Sequence, residues 1–140
     1  MPYCTQQEVQ EEIGGWNRVQ EALDDSGTGN QVELTARLGN LMARASAAVD
    51  AFLQGRYITP LSPVPAIAVE ASIIFTAEIL YGRRRQSTDE KNPYTARAND
   101  LRDRLKRIAD RKESLDALER PAFTPGAVLS KPSSLNGSSL

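Results

Sequence analysis

The stretch ASAAVDAFLQGRYITPL, Ala45 to Leu61, contains the end of one helix and the start of a proline-controlled segment. Ala45, Val49 and Phe52 fall at i, i+4 and i+7, one face of an α-helix. Gly55 follows where a left-handed C-cap is least costly for the backbone. The spacing predicts a helix that stops at Gln54 or Gly55. Asp50 near its end and Arg56 just past it are placed to meet across the cap, with Tyr57 packing back and fixing the exit direction. Exposed pairs of this kind are weak, so the alternative is two solvated charges.

Upstream, Asn30 with Glu33 is a capping signal, and Leu34, Leu38, Leu41, Met42, Ala45, Val49 and Phe52 recur at spacings of three and four. This predicts a long helix over 31–54, with Arg37, Asn40 and Arg44 on other faces. The small residues Ala43, Ser46, Ala47 and Ala48 would let a neighbouring helix approach. Downstream, prolines at 60, 63 and 65 forbid regular helix and favour extended, polyproline-like backbone. Pro65 suits a first helical turn, and from Ala66 to Tyr81 only Glu70 and Glu78 are charged. Apolar residues wrap most of that segment, predicting a central buried helix over 65–81, ended by Gly82. It is shorter than the roughly 20 apolar residues a membrane span needs. Glu70 and Glu78 lie about 80° apart around a helix, a poor arrangement for acid–base chemistry. They fit the edges of a core, paired with arginines.

At the start of the chain, Thr5 and Glu8 form a capping box for a short helix reaching Ile13, stopped by Gly14-Gly15. Trp16, Val19 and Leu23 then share a second short helical face, with Trp16 as its core anchor. The loop from Asp24 to Asn30 resembles a calcium loop only superficially. With Asp24 first and Gly29 sixth, the twelfth position is Thr35 and not a bidentate Glu, so no metal is assigned. Toward the other end, Asn92-Pro93 reads as an N-cap and first-turn proline. Tyr94, Ala98, Leu101, Leu105, Ile108 and Leu115 make the stripe of a last helix over 93–116. The arginines on its outer faces are expected to pair mainly with Asp100, Asp103 and Asp110 of the same helix.

From 119 to 140 the composition turns to Pro, Ser and Gly, with no apolar period to pack on itself. Phe123, Val128 and Leu129 are its candidate anchors on something outside the fold. The reading is therefore an all-α bundle over 1–118 followed by an extended tail. At 140 residues the chain suits one modest core. The single Cys4 cannot form an internal disulfide and no apolar secretory leader is visible, so the expected setting is reducing and cytoplasmic. Net charge is −1 without histidine, which argues against a strong nucleic-acid field and against histidine-based catalysis. The charges are uneven: residues 1–30 carry a balance of −5 and residues 83–112 a balance of +6, as two complementary surfaces of a ring require.

The run Val49-Asp50-Ala51-Phe52-Leu53-Gln54-Gly55-Arg56-Tyr57, followed by Pro60-Leu61, Val64-Pro65 and Tyr81-Gly82-Arg83-Arg84-Arg85, resembles the small head–tail joining proteins of Mu-like phages and prophages. These are related in fold to the helical adaptors that form a ring beneath a phage portal. The resemblance covers residues 3 to 118. It implies a structural part in a virion neck, made in the host cytoplasm: a self-associating ring, dodecameric to match a portal, with the portal and a further neck or tail-terminator protein as partners. It implies passing contact with packaged DNA, no membrane, no cofactor and no enzymatic activity. Asp50, Arg56, Tyr57, Pro60, Arg83, Arg84, Arg85, Phe123, Val128 and Leu129 become its candidate interface residues. The family often carries a glycine where this chain reads Asp110-Arg111-Lys112-Glu113. The competing reading is a small helical nucleic-acid-binding or regulatory protein, supported by Arg83 to Arg85 and the basic last helix. No nucleophile–base pair, phosphate loop or metal cluster favours an enzyme.

Overall fold

A computed structural model describes residues 2–24, 27, 29–84, 91–115 and 119, with the side chain of Arg84 left out. Among these residues the chain is all-α, with five helices: α1 Gln6–Ile13, α2 Trp16–Leu23, α3 Gln31–Leu53, α4 Ala66–Arg84 and α5 Thr95–Ala109.

The capping signals work as the residues predict. Thr5 Oγ1 accepts the Glu8 amide while the Glu8 carboxylate accepts the Thr5 amide, closing the box that starts α1. Gly14 and Gly15 both take positive φ, the backbone that turns α1 into α2. Asn30 Oδ1 accepts the Glu33 amide to start α3. Between these ends the α3 stripe Leu34, Leu38, Leu41, Met42, Ala45 and Val49 is buried, and Phe52 packs half-buried beside it.

α4 is the centre of the bundle and packs against each of the other four helices. Ile67, Ala68, Ala71, Ile74, Phe75, Ala77 and Leu80 are buried around it, as a helix apolar on nearly all sides must be. Of the small residues expected to seat a neighbour on α3, Ser46 does so. Its hydroxyl lies 2.8 Å from Ser72 Oγ on α4, whereas Ala43, Ala47 and Ala48 face out. Glu70 and Glu78 sit at the core edges on arginines, Arg97 at 2.8 Å and Arg102 at 2.7 Å.

The chain departs from the sequence reading at four helix ends or connections. Gly82 does not stop α4, which continues to Arg84. α5 starts at Thr95 because Asn92 Oδ1 accepts the Tyr94 amide, while Asn92 Nδ2 donates to the Glu78 carbonyl. Asn92 thus ties the turn to α4 and does not cap α5. The Thr59–Pro60 and Ser62–Pro63 bonds are cis, unlike the uniform polyproline-like backbone expected for the connector. α5 ends at Ala109, several residues short of 116, at a Schellman turn. The Lys112 amide reaches the Arg107 carbonyl at 2.8 Å, the Arg111 amide reaches the Ile108 carbonyl at 3.1 Å, and Arg111 takes φ 67°. Arg111 therefore holds the left-handed position that glycine fills at least cost.

Two buried clusters result. One joins α1, α2, the first half of α3 and Leu80. The other joins Tyr3, the second half of α3, Tyr57, Leu61, the first half of α4 and α5.

Candidate assembly site around Arg56

The turn after α3 stays tight. The Arg56 and Tyr57 amides both reach the Leu53 carbonyl, at 3.0 and 2.8 Å, and Gly55 has no positive φ. The left-handed cap expected at Gly55 is therefore not formed. Nor do Asp50 and Arg56 meet across it. The Tyr3 hydroxyl donates to the Asp50 carboxylate and accepts the Leu61 amide at 2.8 Å, and the Tyr3 amide donates to Ser46 Oγ at 2.9 Å. Tyr3 thus fastens the first residues to both α3 and the connector.

Arg56 turns instead to the end of α5. It is only 8 % exposed, and its Nη1 donates to the carbonyls of Ile108 at 2.7 Å and Glu113 at 2.6 Å. Nη2 reaches Ser114 Oγ at 3.3 Å, and Nε reaches the Glu119 carboxylate at 3.5 Å. The last carbonyls of a helix lack intrahelical donors and carry the negative end of its dipole. The guanidinium, with several donors in a fixed fork, adds to the Arg111 amide at the Ile108 carbonyl and satisfies the Glu113 carbonyl beyond the helix, and these dipoles together with Glu119 account for a buried arginine. Tyr57, fully buried, lies under the guanidinium with its ring centroid 5.0 Å away. Its hydroxyl accepts the Leu115 amide at 2.9 Å, and its backbone pairs antiparallel with Glu119. Leu115 belongs to the core through this wrap and not through α5.

The surrounding charges are largely occupied within the chain. Arg104 and Arg107 both bind Glu113, whose carboxyl is held below its usual range chiefly by the Arg107 and then the Arg104 hydrogen bond. Arg97 bridges Glu70 and, at 3.8 Å, Glu12 of α1. These pairs run to α1, α4 and the turn after α5, in place of the expected pairing within α5. Burial, and next the hydrogen bond to Asp50, push the Tyr3 phenol up to about 12.

The remaining predicted residues lie apart from this centre. Pro60 is exposed, together with Pro63, Ile58 and Val64, the last two at 44 % and 46 %. They leave apolar side chains exposed on the connector, with Leu61 between them buried. Arg83 Nε reaches back to the Ala22 carbonyl at 3.1 Å, capping α2 alongside Arg37, which donates to the Leu23 carbonyl at 2.6 Å. Arg84 contributes backbone to α4. Arg85, Phe123, Val128 and Leu129 lie outside the described residues. Tyr3 and the carbonyls of Ile108 and Glu113 are the partners that sequence reasoning missed. Among the described residues no cluster of three or more metal-binding side chains gathers, and no helix is long and apolar enough to cross a membrane.

Compared with known families, residues 3–128 match the model of the family described as Bacteriophage Mu, Gp36. No curated protein matches the chain.

Proposed function

The chain belongs to the Bacteriophage Mu Gp36 family, and from that membership we propose that it is a structural protein of the virion neck, forming a ring that joins portal to tail. The observation that carries this reading is Arg56. One buried guanidinium ties the connector after α3 to Ile108, Glu113, Ser114 and Glu119. Beside these contacts the connector exposes Ile58, Pro60, Pro63 and Val64, and Glu119 is held against Tyr57 at the start of that connector. A connector needs two such features tied together, because a ring must engage one partner above and another below.

The charge asymmetry gives the ring less support than the sequence suggests, since Glu12 and Arg97 already meet within one copy. The exposed apolar side chains of the connector are the better candidate for contact between subunits or with the portal. The nucleic-acid reading loses ground for the same reason: Arg97, Arg102, Arg104 and Arg107 are engaged with carboxylates of this chain. Weak, steeply salt-dependent DNA binding is expected, and tight binding at physiological salt would favour that alternative.

The test is Arg56→Ala in the phage. The four earlier helices keep their apolar stripes, so the protein should accumulate, yet the neck should fail and leave filled heads without tails. Electron microscopy of the particles gives the outcome, and intact tailed particles would overturn the reading.

A further inference from the structure

A groove of about 400 Å³ runs between the end of α1, the first turns of α4 and the start of α5. Its floor is Val69, Ile73 and Ile74, and its rim is Glu12, Glu70 and Arg97. The rim has two carboxylates sharing one guanidinium, so one negative charge is left without an equal partner. The floor is apolar and open, a surface that association can bury.

We propose that this groove receives residues 120–129 of a neighbouring copy. Four observations support that occupant. The segment reads Arg120-Pro121-Ala122-Phe123-Thr124-Pro125-Gly126-Ala127-Val128-Leu129: apolar side chains for the floor and one cation for the rim, and no acid occurs between 120 and 140. It carries two prolines, a residue type that restricts the free backbone and so lowers the entropy lost on docking. The family match runs on to residue 128, past the helices, so this segment belongs to the shared pattern and is not an arbitrary extension. Finally, Glu119 pairs antiparallel with Tyr57. That pairing fixes Glu119, the point from which the segment starts. The nine residues from Glu119 to Val128 span at most about 30 Å when extended, enough to cross to an adjacent subunit. The inference rests on the ring reading and adds to it a device: each copy clasps the next.

The native thiol makes the test clean, because Cys4 is single and buried. Val69→Cys and Val128→Cys are made as separate full-length proteins, mixed under mild oxidation and resolved without reductant. Docking between copies should give a covalent pair at a yield about tenfold above a mixture in which Val32→Cys, on an exposed site of α3, replaces Val69→Cys. Arg120→Glu, which sets a carboxylate against Glu12 and Glu70, should lower that yield about threefold. Rapid closure within single chains of the double variant, with none in the mixture, would overturn the proposal. Native mass measurement of the unmodified protein with its portal separates the two readings. A ring without cross-linking sinks the clasp alone, and the absence of both ring and cross-link sinks the clasp and the connector together.

Discussion

At the Trp16 end of the bundle, α1, α2, the first half of α3 and Leu80 close over apolar side chains, and two arginines cap the last carbonyls of α2. At the Arg56 end, an apolar core of similar make-up is crossed by side chain to backbone hydrogen bonds spanning more than fifty residues: Tyr3 to Leu61, Tyr57 to Leu115, Arg56 to Ile108 and Glu113. The first closure rests mainly on helix stripes, with Arg83 to Ala22 as a long-range bond at its edge. The second needs specific atoms at specific places, and it positions the parts of the chain that face outward. The difference teaches that burial makes the bundle, whereas polar fastening decides where its connector and its end emerge.

If apolar burial serves both ends equally, Leu38→Ala and Ile74→Ala should each cost about 3 to 4 kcal/mol, since both side chains are fully buried. Urea unfolding measures this, and a loss below about 1 kcal/mol at either site would break the equivalence. Arg56→Ala should come next, at about 3 kcal/mol, because it removes the guanidinium donor from the Glu113 carbonyl, takes one donor from the Ile108 carbonyl and uncovers the Tyr57 ring. Arg83→Ala, which removes a more exposed cap from α2, should cost about 1 kcal/mol. Equal losses at the two arginines would erase the contrast between the ends.

Tyr3 sharpens it through pH. Its phenol titrates near 10 when unfolded and at about 12 in the fold, so the stability it lends is complete below pH 10 and is lost as pH rises from 10 toward 12. Thermal unfolding across that window should show the decline, and Tyr3→Phe should remove this part of it while lowering stability at neutral pH. The smallest effect expected is a gain. Arg111 occupies a left-handed backbone site, and Arg111→Gly should add about 0.5 to 1 kcal/mol, as the half-exposed Glu119 it gives up is a weak partner. A net loss would mean that the turn after α5 depends on the Arg111 side chain.

The parts that were legible from the sequence follow the same division. The capping box at Thr5, the stripe of α3 and the all-round apolar character of α4 are local patterns with a period, and each appears where the residues place it. Gly82 was misread because a glycine inside a helix costs only about 1 kcal/mol, and burial of Leu80 with the Tyr81–Tyr94 contact carries α4 past it. The end of α5 was misread because Leu115 continues the apolar period, although it enters the core from a turned segment. Arg111 carries no turn signature. Arg56 was singled out from the sequence but paired with Asp50, which it does not meet. A carboxylate four to seven residues away is visible in a sequence, whereas the acceptors it uses are backbone carbonyls, which every residue has. Only the path of the chain distinguishes Ile108 and Glu113 from the rest.

That path orders events during synthesis. Arg56 is made 52 residues before the first carbonyl that accepts it and 57 before the second. The stripes of α1 to α4 are complete in the nascent chain before those acceptors exist, and only residues from Ile108 on can draw the guanidinium in. A product released early, before Ile108, keeps a charged side chain where Tyr57 and Leu53 should be sealed. The cation that fastens the protomer is therefore among the last groups to be sealed, and a chain cut short before Ile108 leaves it without either carbonyl.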